Sequence, residues 1–219
     1  MYRYFFKRFF DIIFSFLGLI IASPFMLIIS ILVLISMGRP ILFSQERIGK
    51  NEKPFKLYKF RSMTNKKDEN GNLLPEEQRL TKVGRFLRST SVDELPELWA
   101  IFIGKMSFVG PRPQPTYYDP YFYPEERIRH KVRGGLIPPD SLSKKDVTTW
   151  EEQFEYEIDY AKKITFFKDI KIILYTVLII LKRIKNDYGS EPRPHLSDYR
   201  KNDEKVKELN KAKESNDDK

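Results

Sequence analysis

The sequence predicts a mainly helical α+β chain attached to a membrane, and three observations carry that expectation. Ile12 to Met37 is a run of 26 residues without a charge, longer than the roughly 20 an α-helix needs to cross a bilayer. Ile41 to Arg47 and Pro54 to Met63 flank the turn residues Gly49-Lys50-Asn51 and read as a strand pair. Ile164 to Ile184 is an apolar stretch with lysines and arginine at its flanks.

The first run is a membrane segment rather than a cleaved leader. Arg3, Lys7 and Arg8 form a basic lead-in, but the run that follows exceeds the roughly 7 to 15 apolar residues of a signal core. Ser23-Pro24 lies near its centre, where proline removes a backbone donor and crowds the carbonyl four residues earlier, so a bend is expected. Each half alone is too short to cross. Arg39, Arg47 and Lys50 place further positive charge after the run, so the positive-inside rule favours neither end. Two topologies fit: a re-entrant hairpin with both ends cytoplasmic, and a proline-kinked spanning helix with a short external N-terminus.

Composition bounds the rest. Lys and Arg number 39 against 30 Asp and Glu, a net charge of +9. There is no cysteine, which excludes disulfides, zinc-thiolate sites and cysteine nucleophiles, and His130 and His195 alone cannot make a multi-histidine metal centre. Between Arg39 and Arg88 there are 13 basic and 6 acidic residues, an excess suited to lipid headgroups or a phosphorylated substrate. Asn65 to Gln78 is polar, with Gly and Pro, and reads as a surface loop.

In the apolar stretch near the C-terminus the uncharged core, Ile172 to Leu181, has 10 residues, too few to span. Two readings remain: an interfacial amphipathic helix whose lysines reach headgroups, and a helix in the protein's own core. Lys185 to Lys219 holds 9 basic and 9 acidic residues and few apolar ones, and roughly the last 25 residues are expected to be a disordered or loosely helical appendage. The expected division is therefore 1–38 for the membrane hairpin, 39–185 for a membrane-associated catalytic domain and 186–219 for the tail.

Chemistry concentrates between Arg88 and Pro113. Ser91-Val92-Asp93-Glu94 has the S-x-x-E form of a capping box, with Leu95, Leu98, Trp99, Phe102 and Ile103 following at helical spacing. One reading is structural, with Ser91 as N-cap, Glu94 closing the box and Asp93 meeting the helix dipole. The other is an anion site, in which free N–H groups with Arg85, Arg88 and Arg112 bind phosphate and the carboxylates imply Mg²⁺ between two anions. Gly110-Pro111-Arg112-Pro113 is a stiff turn that fixes one guanidinium between two prolines. The common glycine-rich nucleotide loops are absent.

Lys7-Arg8-Phe9-Phe10-Asp11 before the Ser23-Pro24 run, then Lys59-Phe60-Arg61-Ser62-Met63, Asp93-Glu94-Leu95-Pro96 and Met106 to Pro113, in this order, resemble the bacterial sugar transferase family of small monotopic phosphoglycosyl transferases. The resemblance implies a monotopic protein with a re-entrant helix broken at Ser23-Pro24, a small β-hairpin and interfacial amphipathic helices. It implies location on the cytoplasmic face of the bacterial inner membrane. The implied reaction moves a sugar 1-phosphate from a UDP-sugar to polyprenol (undecaprenyl) phosphate and releases UMP, opening glycoconjugate synthesis. Asp93 is then the nucleophile and Glu94 its partner, acting at Mg²⁺ or on a proton. Lys59, Arg88 and Arg112, the last beside Pro111, are the phosphate contacts. Many members carry Gln and Asn where this chain has Glu97 and Ala100, and Asp at Lys105. The family's frequent Pro-Gly-Ile-Thr-Gly segment is replaced around Arg133 to Asp140.

Three other readings compete. One is an inactive family member; another is a membrane-anchored scaffold binding anionic lipid or an acidic partner, which leaves Asp93-Glu94 without a task. A nucleic-acid binder has no use for the membrane run. Nothing in the sequence decides whether the chain forms a homodimer.

Topology is testable because the chain lacks cysteine. With Tyr2→Cys and Gln45→Cys, an impermeant thiol reagent is expected to reach both sites only from the cytoplasmic side; reaction of position 2 from outside would establish the spanning helix instead.

Overall fold

The computed structural model describes all residues except 144, 146, 186–192, 218 and 219. The chain divides into two compact units. The first comprises Met1–Gln45, Lys56–Ser107 and Val177–Tyr188, and the second Glu46–Phe55, Phe108–Thr176 and Gly189–Lys219. The start of the expected tail, residues 186–192, lies outside the described residues.

In the first unit a π-helical turn, Tyr2–Phe6, leads into helix α1, Lys7–Met37. Most of α1 carries apolar side chains exposed on the protein surface, as a lipid-facing helix requires. The helix runs without interruption through Pro24, so the break expected at Ser23-Pro24 is absent from it, and Ser23 Oγ donates to the carbonyl of Ile20 at 2.8 Å. Ile29 and Val33 on its inner face pack with Phe60 and Leu87, and Met26, Met37, Ile41, Val83, Val92 and Leu95 surround them. Arg61 closes the C-terminal end of α1: its guanidinium donates to the carbonyls of Met37, Gly38 and Arg39, supplying donors that a helix end otherwise lacks.

Two strands, β1 (Leu42–Ile48) and β2 (Pro54–Phe60), pair as expected, with a 3₁₀ turn at Lys50–Glu52. The polar stretch after β2 is more ordered than a plain loop. Asp68 accepts from the N–H groups of Asn70 and Asn72, and bridges join Met63 to Leu80 and Lys67 to Leu73. A single turn, α2 (Glu76–Arg79), precedes α3 (Lys82–Ser89), whose N-cap Thr81 accepts from Gly84 N–H at 2.9 Å. Gly84 is required by space: a Cβ there would lie 1.7 Å from the Ser62 carbonyl oxygen. A short helix, α4 (Glu97–Phe102), ends at Gly104, and a third strand, β3 (Met106–Val109), follows.

Two charged residues key α1 to α4 and β3. Arg8 donates to the carbonyls of Ile101 and Phe102 at 2.6 and 2.7 Å, capping the end of α4. Asp11, buried, accepts from Ser107 Oγ at 3.1 Å. A helix otherwise suited to lipid thus carries its polar residues where protein can satisfy them.

The second unit takes in Phe108 and Val109, the end of β3, and is built on β4 (Gly134–Ile137), which pairs with that strand, and on α5 (Trp150–Lys162). Helix α5 opens with a complete capping box, Thr149 and Glu152 each accepting from the other's N–H. One apolar cluster joins Ile48, Tyr118, Phe122, Trp150, Phe154 and Leu196; another joins Val109, Tyr160 and Ile172. The aromatic run after Pro115 is therefore packing material at Tyr118 and Phe122.

Helix α6, Phe166–Lys185, is packed into the protein's own core along only part of its surface. Ile172 is fully buried, while Phe167, Leu174, Leu178 and Leu181 form an exposed apolar stripe. The described part of the tail is helical, as one of its two readings allowed, and it packs within the second unit. Helices α7 (Leu196–Tyr199) and α8 (Glu204–Asp217) form there, and Leu196 and Arg200 are buried. Arg200 makes two bonds to Glu126, at 2.7 and 2.8 Å, and Tyr123 OH donates to Asp203 at 2.5 Å. A balanced charge count says nothing about partners 70 to 80 positions upstream, so composition alone misses this docking.

Asp140 introduces a strain of electrostatic origin into the second unit. Its Oδ1 is buried without a hydrogen-bond partner, and burial together with the charge of Glu157 pushes its carboxyl up from 3.8 to about 6. The folded state therefore holds this proton more tightly than the unfolded chain, and the ionised carboxylate opposes folding above about pH 6. Asp140→Asn is expected to raise stability by about 1–3 kcal/mol at pH 8, with the gain fading as pH falls through 6 and gone near 4. Thermal midpoints in detergent at several pH values measure this; a loss of stability at pH 8 would contradict it.

Candidate active site

Asp93 and Glu94 belong to a 3₁₀ turn, Val92–Glu94, and not to the start of an α-helix. The expected capping box does not form. Ser91 has φ of 56°, the left-handed region, and its side chain makes no cap bond. A capping serine needs extended backbone to aim its oxygen along the helix axis. The α-helix starts later, at Glu97, with Pro96 before it, so Glu94 is released from capping.

Glu94 instead meets Lys59 from the end of β2: Lys59 Nζ lies 2.5 Å from Glu94 Oε1 and 3.1 Å from Glu97 Oε1. Glu97 is 3% exposed. It is a member of the site that the sequence showed only as a substitution for the family's Gln, and its signal was a charge on the otherwise buried face with Leu98 and Ile101. Beside them Arg88, on α3, donates through Nε to Ser62 Oγ at 3.0 Å, and the close approach at Gly84 holds α3 against Ser62. Its side chain is 44% exposed, with Glu76 3.5 Å away. Arg85, on the same helix, is exposed.

Asp93 is half-buried, and burial raises its carboxyl above the usual range, with Glu94 adding to the rise and Lys59 and Arg88 opposing it. A carboxylate stripped of part of its water and held among charges is a better nucleophile than an exposed one. Asp93, Glu94 and Glu97 carry three negative charges against two on Lys59 and Arg88. A bound phosphate would add more, so a divalent cation suits the electrostatics. Two carboxylates with substrate phosphate and water are the ordinary ligands of Mg²⁺, and Asp93 and Glu94 fit that donor set.

The structure brings Asp93, Glu94, Lys59 and Arg88 together in the first unit. Arg112 and Pro111 belong to the second unit and have their own surroundings there. Pro111 and Pro113 are buried and Arg112 between them is exposed. The Arg112 N–H donates to Glu157 Oε1 at 2.8 Å, and its carbonyl accepts from Arg129 Nη2 at 2.6 Å. Gly110 N–H donates to the Ile137 carbonyl, and Gly135 N–H to that of Pro111. A Cβ on Gly135 would lie 2.1 Å from Gly110 N, so the altered stretch after Arg133 has a packing role behind this turn. Arg129 and Glu157 were not legible as partners, being 28 positions apart on different elements.

The bacterial sugar transferase family model matches residues 2–183. A sugar transferase of Bacillus subtilis (strain 168), EpsL, is 40% identical over 175 residues, covering 80% of this chain and 87% of its own. The UDP-glucose:undecaprenyl-phosphate glucose-1-phosphate transferase of Klebsiella pneumoniae is 37% identical, over 78% of this chain and 39% of its own. The UDP-N-acetylgalactosamine-undecaprenyl-phosphate N-acetylgalactosaminephosphotransferase of Aeromonas hydrophila is 31% identical, over 81% and 44%. This chain thus spans about two-fifths of the two larger relatives. Since the match takes in α1, Lys59, Arg88, the Asp93-Glu94 turn and the Arg112 turn alike, the chain belongs to the bacterial sugar transferase family.

Proposed function

We propose that this protein transfers a sugar 1-phosphate from a UDP-sugar to undecaprenyl phosphate, with release of UMP, through an aspartyl-phosphosugar intermediate. The observation that carries this is the Asp93-Glu94 turn, a half-buried carboxylate pair with Lys59 and Arg88 beside it. Family membership supports the reaction class, and the names of the relatives from Klebsiella and Aeromonas supply the donor and acceptor types.

In the first step an Asp93 oxygen attacks the β-phosphorus of the donor. The bond from that phosphorus to the bridging oxygen breaks, and UMP departs with the electron pair. In the second step an oxygen of the lipid phosphate attacks the same phosphorus, and the Asp93 carboxylate leaves. Splitting the transfer in this way lets a soluble donor and a bilayer-bound acceptor react in turn. Lys59 keeps Glu94 in place and lowers the negative potential at Asp93. Arg88 and Arg112, the latter set by Pro111, neutralise phosphate oxygens, since phosphoryl transfer depends on alignment and charge neutralisation. Asp93 and Glu94 would hold Mg²⁺, which supplies charge neutralisation at the phosphates. Glu94 would otherwise serve by taking a proton from the lipid phosphate.

The topology follows the same chemistry. In this reading helix α1, continuous through Pro24 in the structure, bends at Ser23-Pro24 into a re-entrant hairpin in the bilayer, which would keep both ends on the cytoplasmic face of the inner membrane and set the carboxylate pair at the headgroup plane. The exposed stripe of α6 lies in that interface.

UMP release by detergent-purified protein, with Mg²⁺, undecaprenyl phosphate and a panel of UDP-sugars, tests the reading. Asp93→Asn is expected to lower kcat/KM by about 10⁴-fold, as loss of a covalent nucleophile does. Without acceptor, the wild type is expected to release about one equivalent of UMP and to retain the labelled sugar phosphate; this burst is the mark of a covalent intermediate. Full activity of Asp93→Asn would refute the assignment. Removal of Mg²⁺ by chelation is expected to abolish turnover, and Arg112→Ala to raise donor KM about tenfold, the value of one charge-assisted bond.

A further inference from the structure

Arg193 lies beyond residues 2–183, the span matched by the family model, and the proposed mechanism gives it no task. It is nevertheless deeply engaged in the second unit. Its Nη1 donates to the carbonyls of Thr148 and Thr149 at 3.0 Å each, just before α5, and its guanidinium lies 3.6 Å from the centre of the Trp150 ring. Its Nη2 donates to Gln153 Oε1 at 2.5 Å.

That last bond decides how Gln153 is oriented. With Oε1 taken by Arg193, the amide turns its Nε2 toward Glu157 Oε1, 2.9 Å away. The flipped amide would set one oxygen against another and face its own donors to the guanidinium. Gln153 and Glu157 are 2% and 0% exposed, so neither can turn to water instead. Glu157 Oε1 accepts the Arg112 N–H, and Glu157 Oε2 accepts Arg129 Nε at 2.6 Å. Arg129 in turn donates to the Arg112 carbonyl. A continuous chain of bonds, buried at Gln153 and Glu157, therefore runs from Arg193 to both backbone polar groups of Arg112.

We propose that Arg193 is a positioning residue for the donor: through Gln153 and Glu157 it holds the Arg112 backbone so that the guanidinium meets a diphosphate oxygen. This rests on the reading of Arg112 as a phosphate contact. An arginine suits the task because one planar fork serves the Thr148, Thr149 and Gln153 acceptors together. The segment behind it is pinned, with Tyr118 OH 2.7 Å from His195 Nδ1 and Arg200 paired to Glu126.

The test uses the full chain, with donor and acceptor kinetics measured for Arg193→Met, Gln153→Leu, Arg112→Ala and the Arg193→Met/Arg112→Ala pair. Arg193→Met is expected to raise donor KM about fivefold while kcat and acceptor KM change less than about twofold. Gln153→Leu cuts the chain of bonds but leaves the Trp150 stack and the Thr148 and Thr149 contacts, and is expected to do the same. In the Arg112→Ala background the Arg193 change is expected to add less than about twofold, since both act through one contact. Amide exchange at Arg112 is expected to speed up in Arg193→Met. Unchanged exchange, effects that multiply in the double variant, or a fall in kcat alone would overturn the proposal. Faster exchange with donor KM unmoved in Arg112→Ala would remove Arg112 from donor binding, and the proposal with it.

Discussion

The position of the Lys59 ammonium between Glu94 and Glu97 governs the candidate active site. Three carboxyl-bearing residues within five positions would repel one another on a short turn if left uncompensated. Lys59 reaches in from the end of β2 and relieves two of them, at 2.5 and 3.1 Å. Side chains about one-fifth exposed place this contact between the surface and the interior, where an ion pair gains more than it does in open water. The consequence is geometric as well as electrostatic. Glu94 is drawn toward the strand instead of folding back on the helix start, and the turn at Ser91 to Glu94 leaves Asp93 as the residue with both a desolvated carboxyl and a cationic flank.

The second unit solves a related problem with a different residue. Glu157 is fully buried, and an isolated carboxylate there would be prohibitive. Arg129, Gln153 and the Arg112 N–H supply four hydrogen bonds' worth of compensation between them, counting the two contacts Arg129 makes through Nε and Nη2. A turn with a proline on each side of Arg112 cannot use those prolines as donors, so a side chain must satisfy the turn from outside it. That requirement ties the Gly110-Pro111-Arg112-Pro113 turn to α5 and gives it one conformation.

The long apolar helix α1 obeys the same accounting of polar groups. Arg8 and Asp11 sit in the first turns of a helix whose remaining length is apolar. Each is satisfied by protein: Arg8 by the open carbonyls at the end of α4, Asp11 by Ser107. Gly104, at φ of 83°, ends α4 and leaves room for the Arg8 guanidinium, which a Cβ would approach to 3.1 Å. The long apolar helix is therefore registered against the short helix that follows the Asp93-Glu94 turn.

Much of this was legible in the sequence where the signal is local. The uncharged run of α1, the β1–β2 pair and the order of the Asp93-Glu94 and Arg112 motifs all follow from residue type and spacing over a few positions. The misread features are those in which a local pattern competes with a distant partner. Ser91 to Glu94 spells a capping box, yet Lys59, 35 positions earlier, takes Glu94 and the backbone at Ser91 turns left-handed. The charge-balanced tail spells a loose appendage, disordered or helical, yet Arg200 finds Glu126, 74 positions away, and becomes buried. By itself the sequence determined the membrane segment, the carboxylate pair and the stiff arginine turn, because hydrophobic length and backbone stiffness are properties of contiguous residues. Only the tertiary structure decided which charges meet, because a charged side chain leaves water only when a partner from elsewhere in the chain is held within a few ångströms of it.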